Sequence, residues 1–450
     1  MKIKTTSYRT LNKGKKDFRL LADISINLPD NSIIETYAEI QLHPIAYFYG
    51  KSPNITFSLL ILSAIVYAVD RAVKRNEYSI DGWSREFEVE INIPEYEVLH
   101  PIEDKINSLL SFLTGDYWTC HFKGPARVYY PRYRSGSSLI DGITQVSLFS
   151  GGMDSLIGAI DYIENHPEGK LFLTSHYDSY MSGPKSDQSK LIKCFKSKYN
   201  GKYNGKYCYP GAVLVQPGLS NELSCRSRSL MFISLALIVA EYATCDVIVP
   251  ENGSVSLNFP LSASRRASCS TRTTHPKFLR QLGEILKLIG IKAEVSNPYE
   301  KRTKGEMVQN CANRDYLIHI VDKSNSCGKR GMHQFMYDNH SATHCGHCMP
   351  CMYRKAALIG NVDNTTYGNR FITLFNKKGD KVAEDFYAML DFLKKDLTIS
   401  DIKRELRIAG MVNFNDLDDY ANLVVRTRTE LLNMIMNDNN YSITNYLGKI

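Results

Sequence analysis

The 450-residue chain is poor in tryptophan, with only Trp83 and Trp118, and both are read as core rather than as binding anchors. It has no apolar run of the ~20 residues that a membrane span needs. The most apolar stretch, Phe57–Val69, is interrupted by Ser58 and Ser63 and ends at Asp70-Arg71, which reads as a buried helix. Met1–Phe18 is polar and basic without an apolar core segment, so no signal peptide is expected and the expected location is cytoplasmic, with no membrane partner. The 11 cysteines are odd in number and lack the spacing of a disulfide-stapled scaffold, but four gather near position 340, as in a metal site. A net charge of +8 suits anionic ligands such as ATP, pyrophosphate or RNA. A folded surface also carries such a charge without a partner, so nucleic-acid binding stays open.

The texture changes along the chain. In residues 1–142, Phe87, Val89, Ile91 and Ile93 alternate with Glu88, Glu90 and Asn92, the period of a half-buried strand. With a helix at Leu59–Arg71, this suggests an α+β domain of its own, of unknown role. From residue 143 to 360 short apolar runs alternate with helical patterns. Strands are expected at Val146–Phe149, Leu171–Leu173, Ala212–Val215 and Asp246–Pro250, and helices at Asp154–Ile163, Ser186–Tyr199 and Arg228–Ala243. That alternation predicts an α/β fold with a parallel sheet covered by helices. Ligands then bind beyond the carboxyl ends of the strands, so the loops after Phe149, Leu173, Val215 and Val249 should share one cleft. Residues 361–450 read as a helical C-terminal tail, with apolar periodicity over Ala383–Leu393 and Leu417–Met436. Gly201–Tyr207 reads as an exposed loop.

Ser150-Gly151-Gly152-Met153-Asp154-Ser155 falls between a predicted strand and a predicted helix. Two glycines let backbone approach a ligand, and a helix N-terminus offers unpaired N–H groups to phosphate. Asp154 would hold Mg²⁺ or cap the helix. No Gly-Lys-Ser/Thr follows, which excludes a Walker loop. Further on, Cys327 and the Cys345-Gly346-His347-Cys348-Met349-Pro350-Cys351 run supply four thiolates, enough for a closed, structural zinc site. An iron–sulfur cluster is the alternative, and His344 or His347 could replace one cysteine.

The loop resembles the SGGxDS loop of the PP-loop ATP pyrophosphatases, which cleave ATP between the α and β phosphates. The late segment Cys345–Arg354, preceded by Ser326-Cys327, looks like the zinc site of the 7-cyano-7-deazaguanine synthase (QueC-like) branch. Ser227–Phe232, Glu251-Asn252-Gly253 and Pro298–Glu306 follow that family in order. Ser229 stands where the family has asparagine, and Arg272-Thr273-Thr274-His275-Pro276 stands where it has a Tyr-Pro-Asp-Cys-Arg type segment. Residues 252–283 hold no Asp or Glu but carry Arg265, Arg266, Arg272, Lys277 and Arg280, a loop suited to anions. With the long N-terminal region, the layout is similar to QueC-like proteins of bacterial anti-phage defence systems.

The resemblance implies an Mg²⁺- and ATP-dependent, adenylate-forming C–N ligase. Its substrate would be a 7-carboxy-7-deazaguanine-like carboxylate, and its acceptor ammonia or an amine of a partner protein. Ser150, Gly151, Gly152, Met153 and Ser155 would hold pyrophosphate, Asp154 would orient Mg²⁺, and Arg228, Lys301 and Lys304 would offset charge on the phosphates. Arg272 and His275 would face the acceptor or base. Two other readings stay open. One is a tRNA-modifying PP-loop enzyme using Cys225 or Cys269. The other is a degenerate nucleotide-binding scaffold.

Overall fold

The computed structural model describes residues 1–12, 18–48, 52–128, 142–180, 183–199, 208–261, 272–411 and 414–448. The loop expected at Gly201–Tyr207, and Arg265, Arg266 and Cys269, lie outside the described residues. The protein is α/β, and one ten-stranded sheet runs through it. The strands are β1 (Lys2–Asn12), β2 (Phe18–Asn27), β3 (Ile33–Gln41), β4 (Glu86–Asn92), β5 (Tyr117–Gly124), β6 (Gln145–Leu148), β7 (Leu171–Tyr177), β8 (Cys208–Pro217), β9 (Val247–Ile248) and β10 (Val295–Ser296). Their order is β10-β9-β6-β7-β8-β3-β2-β1-β4-β5.

The first five strands in that order are parallel neighbours, as the strand–helix alternation predicts. They are near-continuous apolar runs because helices cover both faces. Met153–Asn165 and Gly183–Tyr199 pack Leu156, Ile160, Leu191 and Phe195 on one face. Arg228–Ala243 and Asn54–Ala72 cover the other. The chain runs outward from β6 to β7 and β8, then crosses back to β9 beside β6. That reversal is a topological switch point, and the loop leaving β6 opens directly onto it.

The sheet does not stop at residue 142. β3 pairs antiparallel with β8, Ala38 opposite Pro217 and Ile40 opposite Val215. Strands β1 to β5 therefore extend the core sheet and share its hydrophobic core instead of closing a separate one. Their strict alternation, as in β4, reflects a sheet half buried on one face only. Helix Asn54–Ala72 is 19 residues long, longer than the apolar run suggested, and apolar enough to cross a membrane, but from Ile55 to Ala72 it is buried inside the protein. Trp118 is buried and Trp83 is half-buried, stacked under Arg226.

The N-terminal region is tied to the core by a buried charge network. Asp116 accepts from Arg75 and Arg85, and Asp70 accepts from Arg85 at 2.5 Å. The other Asp70 oxygen accepts from the Ser227 N–H and O–H at 3.1 and 2.7 Å, in the segment that leads into helix Arg228–Ala243. Removing one partner from such a network strands the opposite charges without water. Asp116→Ala is therefore expected to destabilise the fold by about 3–5 kcal/mol, read as a lower urea midpoint.

Candidate functional site

A cavity of about 650 Å³ opens at the switch point. Its walls come from the segments after β6 (Ser150–Ser155), β7 (Tyr180, Gly183), β8 (Cys225, Arg228) and β9 (Pro250, Glu251), as the strand order requires, together with Lys304 and the Asn325–Cys327 segment. Among the described residues, none before Leu148 lines it.

The β6 loop is built for close approach. Gly151 has φ +89°, a conformation costly for a residue with a Cβ, and a Cβ there would sit 3.3 Å from Asp187 and from the Gln188 N–H. Gly152 then caps helix Met153–Asn165 in extended backbone. The Ser150 and Ser155 hydroxyls lie 3.2 Å apart, and both residues line the cavity. Asn325 N–H donates to Gly151 O at 2.9 Å, and Met153 N–H donates to Ser326 Oγ at 3.2 Å. The Met153 side chain itself is core.

Behind the loop, Asp154 is buried. Its Oδ1 accepts from Lys304 Nζ at 2.7 Å and its Oδ2 from Asn252 Nδ2 at 2.7 Å. Burial opposes ionisation of Asp154. The Lys304 ammonium and the hydrogen bonds from Glu251, Lys304 and Asn252 outweigh it and hold the carboxyl at about 2. Glu251 moves the opposite way: burial, then the Asp154 charge, push it well above the carboxylate range. The two carboxyls thus share one proton beside one ammonium.

Arg228 reaches the cavity from helix Arg228–Ala243. Its Nε–H donates to Nδ1 of buried His176 at 3.2 Å, and His176 Nε2–H donates to Val215 O at 2.9 Å. Burial, then the neighbouring Arg228 charge, hold His176 at about 3, so it stays neutral and can accept from the guanidinium. Cys225 also lines the cavity, and burial raises its thiol.

Three residues expected in the site lie elsewhere. Lys301 Nζ bridges Asp416 and Asp419, both at 2.8 Å, because the Thr303 cap turns the chain between it and Lys304. Arg272 lies over the Phe112 ring at 4.6 Å and donates to Phe112 O at 3.1 Å. His275 caps helix Pro276–Leu288, accepting from Lys277 N–H at 3.1 Å with its ring against Phe112. Only Thr273 and Thr274 of that segment reach the cavity. Conversely, Glu251 and Asn252 stand at the carboxylate centre, and Asn325 and Ser326 brace the loop. The sequence signal for the second pair was their place directly before Cys327. Arg330, paired with Asp187 at the cavity wall, carried no signal.

The sulfurs of Cys327, Cys345, Cys348 and Cys351 all lie within 4.8 Å of one another. Cys345 and Cys351 sulfurs are 3.8 Å apart, close to the separation of about 3.8 Å across a tetrahedral ZnS₄ centre with bonds of about 2.3 Å. An iron–sulfur cage would have to stand between the sulfurs and hold them further apart. The donor set therefore fits a single ion such as zinc. His344 Nε2 accepts from Ser326 N–H at 3.4 Å and His347 Nδ1 pairs with Asn369 at 2.9 Å, so neither takes a cysteine's place. Cys327 belongs both to the cluster and to the cavity wall, next to the Asn325–Ser326 brace.

No protein-family model matches the chain, and no curated protein or solved structure does either.

Elemental analysis should find about one zinc and no iron per chain, with Cys348→Ser losing the zinc. A pH effect also follows. Burial, then the Arg272, Arg280 and Lys277 charges, hold His275 at about 3, like His176. An unfolded histidine titrates near 6.5, so between about 3 and 6.5 the unfolded chain binds protons that the folded chain refuses. Stability should fall as pH drops through that window. His275→Asn, which keeps a capping side chain, should flatten the fall in urea midpoint between pH 7 and pH 5.

Proposed function

We propose that this protein is an ATP-dependent adenylating ligase of the PP-loop class, working in the cytoplasm as part of an anti-phage defence system. It activates a 7-carboxy-7-deazaguanine-like carboxylate for attack by an amine, either ammonia or an amine of a partner protein. The observation that carries this reading is the Ser150–Ser155 turn. It enters a helix at the switch point of a parallel sheet, with a carboxylate pair and a buried lysine directly behind it and a nucleotide-sized cavity in front.

In this reading a substrate carboxylate oxygen attacks the α-phosphorus of ATP. The bond to the β-phosphate oxygen breaks, and pyrophosphate leaves into the β6 loop. The Ser150 and Ser155 hydroxyls and the N–H groups of the first helical turn receive it. Lys304 and Arg228 offset the charge that builds on the phosphates. The amine then attacks the acyl carbon, loses a proton, and AMP departs. Asp154 and Glu251 would hold Mg²⁺, which screens the phosphate charges when bound. A zinc ion held by the four cysteines would take no part in the chemistry, because four thiolates leave no open position. It would stiffen Asn325 and Ser326 against the loop.

ATP–pyrophosphate exchange with Mg²⁺, with and without 7-carboxy-7-deazaguanine, tests the reading. Exchange that requires the acid is expected, and Asp154→Ala should lower it at least ~100-fold, about 2.7 kcal/mol of transition-state stabilisation. Exchange by Asp154→Ala at the parent rate would refute the loop assignment. Exchange indifferent to the acid would refute the substrate.

A further inference from the structure

The lysine behind the loop stands on a helix too short to hold itself. Lys304–Gln309 has six residues, and helices of that length are marginal without tertiary support. Part of the support is local. Thr303 Oγ1 accepts from Glu306 N–H at 3.0 Å, and Glu306 Oε2 accepts from Thr303 N–H at 2.9 Å, a closed capping box.

The rest comes from more than a hundred residues away. Helix Phe414–Asn437 presents Arg426 and Glu430, one turn apart on one face, to this capping box. The Glu430 carboxylate accepts from the Thr303 hydroxyl with one oxygen and from Gly305 N–H, at 3.2 Å, with the other. Those two donors flank Lys304 on either side. A Cβ at position 305 would press on the same carboxylate and oblige it to shift. Arg426 donates from Nε to the free Glu306 oxygen at 2.7 Å and from Nη2 to Lys301 O at 2.8 Å. The same helix also holds the segment after β9: Thr427 and Ser254 hydroxyls meet at 2.6 Å, on the short helix capped by Asn252, which donates to Asp154. Lys304 and Asn252, two of the donors on Asp154, are thus both fixed by one C-terminal helix.

We propose that Glu430, assisted by Arg426, is a positioning residue for Lys304, and that the C-terminal helix thereby sets the affinity of the β6 loop for the pyrophosphate end of ATP. This rests on reading the cavity as an ATP site. Glu430 does not touch the nucleotide. It fixes the turn from which Lys304 reaches Asp154 and the phosphates.

Titration calorimetry of the full-length protein with Mg²⁺ and inorganic pyrophosphate tests the role. Lys304→Ala and Glu430→Ala should each weaken binding about tenfold, and the double variant should be no more than about twofold weaker than Lys304→Ala. Glu430→Gln, which keeps an acceptor oxygen, should stay within about threefold of the parent, a rescue that loss of fold stability alone does not give. If Glu430→Ala does not fold, Arg426→Leu, at a side chain that is 42% exposed, provides the same comparison with a smaller loss of about threefold. Unchanged affinity in Glu430→Ala, or a double variant that loses the product of the two single effects, overturns the positioning role while the ATP site stands. A parent protein that binds no pyrophosphate overturns the ATP reading and the positioning role with it.

Discussion

The candidate site is organised around one buried ion pair, Asp154 with Lys304. Taking both charges out of water is expensive, and their attraction repays it only when the remaining lone pairs and protons are also satisfied. Here Asn252 and Glu251 complete the set. The requirement is geometric. Asp154 comes from the helix after β6, Asn252 and Glu251 from the end of β9, and Lys304 from the segment after β10. Three neighbouring strands must therefore keep their order and register for the pair to form. Were any of them to slip, a charge would be left buried without a partner. The pair is better understood as a device that specifies the arrangement than as a source of net stability.

Three of the cavity walls have remote anchors of their own. The β6 loop is braced by Asn325 and Ser326, which the cysteine cluster holds in place. The wall after β8 is fixed through Ser227 to Asp70, and so to Arg85 and Asp116 of the N-terminal region. The wall after β9 and the Lys304 turn are fixed by the C-terminal helix. The described residues of the N-terminal region thus bear on the site without lining it. They widen the sheet through the β3–β8 pairing and orient the segment from which Arg228 emerges. A precisely built site demands supports whose own conformations are locked, and buried charge, a thiol cluster and helix contacts supply that in three different chemistries.

Most of what was legible in the sequence is local. The parallel strands after residue 143 announce themselves as apolar runs. The helix after Ser227 begins at Arg228 and ends at Ala243 as its pattern predicts. The four cysteines meet because short spacings bring three of them to one turn. What was not legible depends on partners far away in sequence. Nothing in Arg272 or His275 announces that Phe112 will cover them. Nothing in β3 announces that it pairs with β8, which is why residues 1–142 read as a domain apart. Lys301 and Lys304 are equally basic and three positions apart. Only the Thr303 cap, with acids on the distant helix to receive Lys301, sends one outward and the other into the cavity.

That division between the two lysines shows how such a site tolerates its own charge. An isolated ammonium at Lys304 would repel Arg228 and depend on the ligand for neutralisation. The Asp154 carboxylate, held ionised at about 2, balances it before any phosphate arrives. The proton retained on Glu251 then keeps the carboxylate pair from carrying two negative charges behind the loop. A cation entering between these carboxyls would displace that proton, and the centre would pass from near neutrality to a positive field facing the loop. The unequal acidity of Asp154 and Glu251 therefore leaves the empty cluster near neutrality, and under the proposed ATP and Mg²⁺ reading a bound divalent ion would turn it toward phosphate.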